Sequence, residues 1–391
     1  MKNPDYVGVC TAIYRRYIDM IAEGRIDDSE YNNDIDRLKQ VFNRGGFNKG
    51  YFYGELDSKM MSMKRPKLIE YYKILINDSE RNCLENSFVI FKSTDNIYYL
   101  IYFNKLNSII SYDLVLNKKI HEIKNAHLKK IKSLKHYYDN YNQRNLILSE
   151  DNSSNVKIWN IENLECIFNL NLGEKEQKES GNIGSLCFLK DKTQINIAIR
   201  FIKNYIIRIF DLSCKIIKDI KEFKDYKYYK IESYYEQTQQ KSYIIISSGE
   251  HIKSYDYEQN IVYKKYISFE KQFISYCYSN INIYDKDGAT NLLASNSIGI
   301  RIWNFHSGGL LNVINKPDIY NICLWNSNYI FARTNNLKLI ELKTGKVVKK
   351  FNSDTTNDYN IISIKKGYIP KYENCLFTQG NNGLIILWII K

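Results

Sequence analysis

A repeated strand ending is the feature that most constrains the fold of this chain. Seven short segments alternate apolar or small residues with variable ones, then place one large residue, which in six segments precedes Asp, Asn or Glu. The large residues lie 37 to 51 residues apart and are Tyr112, Trp159, Phe210, Tyr255, Trp303, Ile340 and Trp388. The residues that follow them are Asp113, Asn160, Asp211, Asp256, Asn304, Glu341 and Ile389. Spacing of this kind indicates a structural repeat.

Each repeat also holds strands on either side of this ending. An upstream strand is seen in "NLILSED" (145–151) and "NLLASNS" (291–297). The segments "NIENLECIFNL", "NFHSGGLLNVI" and "LKTGKVVKKF" carry a turn, with Asn or Gly expected where φ is positive, and then a downstream strand. Four short strands in each of seven units, with little helical periodicity after residue 87, predict an all-β ring of small sheets, a seven-bladed β-propeller.

These units resemble WD40 repeats, and residues 87–391 as a whole look like a seven-bladed WD40 propeller. The closest matches are "SNSIGIRIWN" and "SEDNSSNVKIWN", while "LKTGKVVKKF" looks like the final hairpin of such a repeat. The chain departs from the family in that Trp is kept only at Trp159, Trp303 and Trp388, and Asp follows none of them. The Gly-His start of the repeat survives only as His127 in "NAHLKKIKSL".

The resemblance implies a hydrogen-bonded network inside one blade. In the family, a His, a Ser or Thr, an Asp and the Trp tie a blade together. The second unit alone has candidates for all of these positions, namely His127, Ser149, Asp151 and Trp159. The role that the resemblance implies for these four residues is structural and not catalytic.

The seventh unit ends after its third strand, "LIILWII" (384–390), so its outer strand is missing. Such rings are commonly closed by a strand from the other end of the chain, which leaves no open sheet edge. We therefore predict that Leu68 to Ile76, in "KLIEYYKILIND" (67–78), form the outer strand of the last blade. The alternative is a short helix that begins near Pro66, because Leu68, Tyr72 and Ile76 also have helical spacing.

The first sixty residues follow a different pattern. Apolar residues at helical spacing predict helices over 5–23 and 27–42, and a glycine-rich loop follows. The predicted domains are thus a helical N-terminal extension at 1–66 and a WD40-like propeller at 67–391, with blades from residue 87 onward. The extension either packs on the rim of the ring or is an arm that docks a partner.

A basic stretch spans residues 118–144, in a chain of net charge +13. Its candidate binding residues are Lys118, Lys119, Lys124, Lys129, Lys130, Lys132, Lys135 and Arg144. One interpretation is an edge strand that lysines protect from pairing with other molecules. The other is an electrostatic patch for RNA or for an acidic protein surface.

The sequence lacks the motifs of a catalytic, cofactor or metal site. Its five histidines show no HExxH spacing, and its eight cysteines are far apart with no CxxC pair. The scattered cysteines suit a reducing compartment, and no segment reads as a signal peptide or membrane span. We expect a cytoplasmic protein without enzyme activity, cofactor or metal. Association with the nucleus or the cytoskeleton is an alternative that the sequence does not decide.

These features favour an interaction scaffold, a propeller subunit of a larger assembly whose partners are other proteins. This expectation rests on analogy with other proteins of the same fold and not on particular residues. Two alternatives are an RNA-associated subunit of a ribonucleoprotein particle, which would use the basic surface, and a component of a cytoskeletal or ciliary scaffold.

Overall fold

The structure is a computed structural model that describes residues 68–75, 87–173, 178–221, 230–247, 251–267, 280–296, 299–316, 319, 321–334, 336–351, 361–369, 372–380 and 384–390. The helices predicted at 5–23 and 27–42 lie outside these residues, and the boundary at residue 66 stays a prediction. Within the described part, residues 178–180 form one helical turn.

Seven antiparallel four-stranded sheets form a β-propeller, and we number its blades in chain order. Blade 1 consists of β2 (Phe88–Lys92), β3 (Tyr98–Phe103), β4 (Ile109–Asp113) and β5 (Lys118–Ile123). Blade 2 consists of β6 (Ile131–Asp139), β7 (Arg144–Asp151), β8 (Val156–Asn160) and β9 (Cys166–Leu170). Blade 3 consists of β10 (Ile183–Lys190), β11 (Ile195–Phe201), β12 (Ile207–Phe210) and β13 (Ile216–Ile220).

The remaining blades repeat this order. Blade 4 consists of β14 (Ile231–Glu236), β15 (Lys241–Ser247), β16 (His251–Asp256) and β17 (Ile261–Ile267). Blade 5 consists of β18 (Asn280–Lys286), β19 (Ala289–Asn296), β20 (Gly299–Asn304) and β21 (Leu310–Asn315). Blade 6 consists of β22 (Asn321–Leu324), β23 (Tyr329–Arg333), β24 (Leu337–Glu341) and β25 (Val347–Phe351). Blade 7 consists of β26 (Ile361–Ile369), β27 (Tyr372–Gly380), β28 (Leu384–Ile390) and β1 (Leu68–Leu75).

The core of the protein lies between the blades. An apolar cluster fills each interface between neighbouring blades, as where Phe168 of blade 2 meets Phe210 of blade 3 with ring centroids 6.5 Å apart. The interface between blades 7 and 1 is filled in the same way, with Phe377 and Leu387 packed near Phe88. The first strands of neighbouring blades contact one another at most junctions, including the one between blades 7 and 1, so these strands line the centre of a closed ring.

The outer strand of blade 7 comes from the other end of the chain. Strand β1 pairs antiparallel with β28, from Leu68 opposite Ile390 to Leu75 opposite Leu384. The segment at 68–75 is therefore a strand, and the alternative of a short helix there is wrong. The position of β1 is the outermost of its sheet, where the other blades hold a strand that directly follows their third strand.

A bulge at one fixed place shows that β1 is equivalent to the other outer strands. In each blade the register between the third and fourth strands shifts immediately before the large repeat residue. In blade 7 the shift falls in the same place, because Trp388 faces Glu70 while Leu387 faces Tyr72. The extra residue on the outer strand is large and apolar or aromatic in every blade, and these residues are Tyr71, Ile120, Ile167, Ile217, Tyr263, Leu311 and Val348. Such a bulge bends the edge strand and increases its local twist.

The Asp or Asn after the large residue closes the turn to the outer strand. The Asp113 carboxylate accepts the backbone N–H groups of Val115 and Leu116, at 2.7 and 3.0 Å. Equivalent bonds to turn N–H groups are made by Asn160, Asp211, Asp256 and Asn304. Side chains of this type are favoured in turns because they can bond the backbone of the next residues. Glu341 of blade 6 instead accepts the hydroxyl group of Thr344, and Ile389 of blade 7 lies within β28, paired with Ile69.

These turns also require one residue with positive φ. The position is held by Asn117, Asn260, Gly308 and Gly345 in four blades. The expectation of Asn or Gly is wrong for blade 2, where Leu164 has a φ of 62°, and Cys214 has a φ of 64° in blade 3. The left-handed conformation is unfavourable for a residue such as leucine, because its Cβ crowds the following carbonyl oxygen.

Replacement of Leu164 by Asn should therefore stabilise the protein. We expect the free energy of unfolding to rise by about 1 kcal/mol, since Asn tolerates positive φ better than Leu. Urea unfolding measures this change. The matched control is Gly345→Leu at the same turn position of blade 6, which should destabilise because a Cβ at Gly345 would lie 2.9 Å from Ile314 Cγ2. A Leu164→Asn protein less stable than the parent would contradict this account.

Candidate functional site

Blade 2 brings together the four residues that the family resemblance singled out. His127 lies in the loop between β5 and β6, Ser149 and Asp151 lie on β7, and Trp159 lies on β8. His127 Nε2 is 2.7 Å from Ser149 Oγ, and Trp159 Nε1 donates to the same oxygen at 2.9 Å. His127 Nδ1 is 3.3 Å from Asp151 Oδ2. We call these four residues the blade 2 tetrad.

Asp151 is the most connected member of the tetrad. Its carboxylate accepts the backbone N–H groups of Ser153 and Asn155, at 2.8 and 3.0 Å, and the Asn155 side-chain amide at 2.9 Å. Burial acts to raise the pKa of Asp151, but the hydrogen bonds from His127 and Asn155 outweigh burial and hold this pKa below its ordinary value. The network thus links a blade entry loop, two strands and a turn.

A serine, a histidine and an aspartate in this order are also the components of a hydrolase triad. Here Ser149 and Asp151 are 0% exposed and His127 is 2% exposed, so no substrate carbonyl reaches the serine oxygen. The Ser149 oxygen already accepts a hydrogen bond from Trp159. The tetrad therefore acts in packing, as a satisfied buried polar network.

The other large repeat residues are held in different ways. Trp388 Nε1 donates to Thr378 Oγ1 on the neighbouring strand at 2.7 Å, which is the same contact as the one between Trp159 and Ser149. Trp303 Nε1 instead donates to a backbone oxygen on the outer strand of blade 4. The hydroxyl groups of Tyr112 and Tyr255 donate to an Asn of the following turn, and Phe210 packs in the apolar interface.

The tetrad fixes a loop that presents an apolar side chain. Within the loop of residues 124–130, the Ala126 carbonyl accepts from Lys157 Nζ at 2.8 Å, and the Lys130 carbonyl accepts from the Asn152 N–H at 2.9 Å. Between these anchors and next to the buried His127, Leu128 is 92% exposed. We call this loop the Leu128 loop. Antiparallel topology places it on the same face of the ring as the β3–β4 turn, where Leu106 is 71% exposed.

The basic stretch at 118–144 does not form one surface. Lys118 and Lys119 lie on the outer strand β5, whereas Lys132 and Lys135 lie on β6, the innermost strand of the next blade. Lys124, Lys129 and Lys130 lie in the Leu128 loop, and Arg144 begins β7. Several of these charges are used within the fold. The ion pairs are Lys119 with Glu122, Lys132 with Glu150 at 2.5 Å, Lys135 with Glu232 at 3.0 Å and Arg144 with Asp139 at 3.0 Å.

Charged side chains from three blades meet at the centre of the ring. Lys135 Nζ of blade 2 lies 3.0 Å from Glu232 Oε2 of blade 4, and Lys230 Nζ lies 3.4 Å from the other oxygen of that carboxylate. Lys365 of blade 7 is close enough to Lys135 and Lys230 for their charges to act on it. We call Lys135, Lys230, Glu232 and Lys365 the ring-centre cluster. Sequence reasoning missed this cluster, since its members come from three segments that are far apart along the chain.

Burial and mutual charge set the ionisation of this cluster. Burial disfavours the charged forms of Lys135 and Glu232. Their mutual attraction outweighs burial, so the pKa of Lys135 is raised and the pKa of Glu232 is lowered. For Lys365, burial and then the charges of Lys135 and Lys230 lower the pKa to about 8. Lys365 donates a hydrogen bond to the Phe88 carbonyl, and its ammonium lies 5.2 Å from the centroid of the Phe88 ring.

The described part of the chain holds no group of three or more His, Cys, Asp or Glu residues arranged to bind a metal ion. Of the helices in that part, none has the length and apolar character needed to cross a bilayer. The sequence model of Peptidase family U32 matches residues 1–62, which precede the first described strand. No curated protein matches the chain.

Removal of the Ser149 hydroxyl should destabilise the protein without any effect on its surface. Ser149→Ala leaves the Trp159 N–H and one His127 nitrogen unpaired in a buried site, so we expect a loss of about 2–4 kcal/mol in the free energy of unfolding. Urea unfolding measures the loss. The matched control is Ser213→Ala in the exposed turn of blade 3, which should change stability by less than about 0.5 kcal/mol. Equal effects of the two substitutions would contradict the structural role of the tetrad.

Proposed function

We propose that the protein is a non-enzymatic interaction scaffold of the WD40 type, a propeller subunit that holds partner proteins within a larger assembly. The WD40 relation is supported by the tetrad of His127, Ser149, Asp151 and Trp159, whose hydrogen bonds have the pattern of that family's repeat. A closed ring with an apolar core at each blade interface is rigid, and it presents loops at fixed positions on two faces.

The Leu128 loop is the observation that carries this proposal. Leu128 exposes 92% of its surface although its neighbours Ala126 and His127 are buried and its backbone is hydrogen-bonded on both sides. A held backbone reduces the entropy lost when the side chain enters a partner pocket. Burial of one leucine contributes roughly 1.5–3 kcal/mol, which is typical of a binding anchor. The exposed lysines Lys124 and Lys129 flank it, so we propose a partner with an apolar pocket and an acidic rim.

The buried state of the blade 2 tetrad also favours a binding role over catalysis. Ser149, the nucleophile that a hydrolase would need, has no exposed surface. The match to Peptidase family U32 covers residues 1–62 and does not reach the described strands, so it supports no peptidase activity for the ring.

RNA binding is a second candidate, and exposed lysines favour it. Lys118, Lys119, Lys124 and Lys129 are exposed, and they follow the outer strand of blade 1 into the Leu128 loop. Three of these four lysines form no ion pair among the described residues, which leaves their charge available to phosphates.

The native size of the protein in a gentle cell lysate distinguishes the two candidates. We expect gel filtration to show a complex far larger than the 46.3 kDa chain, and we expect RNase to leave it intact. Collapse of the complex after RNase would favour the RNA-associated subunit. Elution at the size of the single chain under both conditions would contradict a stable scaffold.

The contribution of the Leu128 loop is tested in the same assay. Leu128→Asp should reduce the fraction of protein in the complex, because a charge cannot enter an apolar pocket. The matched control is Leu116→Asp in the β4–β5 turn, where the leucine is 61% exposed on the opposite face of the ring. If both substitutions leave the complex unchanged, Leu128 is not an anchor.

A further inference from the structure

The ring-centre cluster carries more positive than negative charge. Glu232 shares its two carboxylate oxygens between Lys135 and Lys230, at 3.0 and 3.4 Å. Lys365 donates to a backbone carbonyl and lies over the Phe88 ring, and no described carboxylate lies within ion-pair distance of it. Three ammonium groups among the described residues thus lie around Glu232, and Glu150, which pairs with Lys132, also acts on Lys135. Ammonium groups held this close together in a partly desolvated site repel one another, and an anion bound among them would relieve that repulsion.

The cluster is also accessible from the centre of the ring. The side chains of Lys135, Lys230 and Glu232 keep 19%, 27% and 29% of their surface exposed, and Lys365 is half-buried. Their strands are the first strands of blades 2, 4 and 7, or directly precede them, and first strands line the centre. Because the three blades are not neighbours, the lysines approach the axis from different directions. An anion on the axis would therefore be surrounded by donors.

We propose that the centre of the propeller is a binding site for a small phosphate monoester, with Lys135, Lys230 and Lys365 as its ammonium donors and Glu232 as the group that positions Lys135 and Lys230. The doubly charged form of a phosphate monoester carries the charge opposite to that of the three ammonium groups. Its oxygens provide several strong acceptors for lysine, which binds phosphate as a point charge. This site goes beyond the scaffold function, since it concerns a small ligand and not a partner on the outer faces.

The proposal is tested with the full chain and methyl phosphate as the probe, by isothermal titration calorimetry at pH 7. We expect the parent protein to bind methyl phosphate and Lys365→Met to bind it roughly 10- to 100-fold more weakly, since a hydrogen bond to a charged group is lost. The matched control is Lys366→Met on the same strand, where the side chain is exposed and donates to the Trp325 carbonyl. This control should bind like the parent. Failure of the parent to bind, or equal binding by Lys365→Met, would overturn the proposal.

The pH dependence of binding identifies Lys365 as the group responsible. Lys135, Lys230 and Glu232 face it from blades 2 and 4, and the Cys323 thiol of blade 6 lies nearby with a pKa that burial raises to about 11. Since the pKa of Lys365 is lowered to about 8, its charge is present at pH 7 and mostly lost at pH 9, and the affinity should fall about tenfold over this range. Methyl phosphate stays doubly charged there, as its second pKa lies near 6.

The variant Lys365→Arg separates the charge of residue 365 from any other effect of pH on binding. Arginine keeps its charge at every pH used, so this protein should bind methyl phosphate with an affinity that does not change between pH 7 and pH 9. A folded Lys365→Arg protein that shows the same tenfold loss at pH 9 would contradict the role of Lys365. Circular dichroism checks that each variant is folded before its affinity is compared.

Discussion

The pairing of β1 with β28 is the interaction on which the rest of this structure depends. Each blade must present an apolar face to both of its neighbours, and blade 7 is completed only by a strand that precedes blade 1 in the chain. The two ends of the ring are then joined through a sheet and through the apolar interface between blades 7 and 1. Without β1, the edge of β28 would be open to pairing with other molecules.

The two proposed sites depend on that closed ring to different degrees. Lys365 belongs to blade 7, while Lys135 and Glu232 belong to blades 2 and 4, so the ring-centre cluster forms only when blade 7 is seated against blade 1. The Leu128 loop depends on closure less directly, since its anchors lie within blade 2 and at the junction with blade 1. Rigidity matters to both proposed sites because a fixed apolar anchor, or partly buried charges that converge on one point, contributes more to affinity than a scattered exposed charge does.

Much of the fold was predictable because it repeats. The strand endings, the Asp or Asn that closes each turn and the strand at 68–75 follow from patterns that extend over a few residues. Ile389 departs from the pattern because it lies inside β28, paired with Ile69, where the other blades have a turn. The bulge before each large residue was not visible in the sequence, because the register between two strands is a property of the pair.

The candidate sites were harder to predict, for physical reasons. The basic stretch reads as one patch because the outer strand of blade 1 and the inner strand of blade 2 are adjacent in sequence, yet they lie at opposite edges of their sheets. The ring-centre cluster joins Lys135, the pair Lys230 and Glu232, and Lys365, which come from three segments about one hundred or more positions apart, and only the curvature of the whole ring brings these segments together. The left-handed Leu164 shows that the hairpin geometry can override residue preference at a single turn.

Thermal unfolding of two shortened proteins tests the central claim most directly. One begins at residue 67 and keeps β1, and the other begins at residue 80 and lacks it. Closure by β1 predicts a cooperative transition for the first, and for the second either aggregation or a midpoint lower by on the order of 10 °C. Addition of a peptide with residues 67–78 should restore the midpoint of the second protein. Equal midpoints for the two shortened proteins, with no effect of the peptide, would contradict the account that β1 closes the ring.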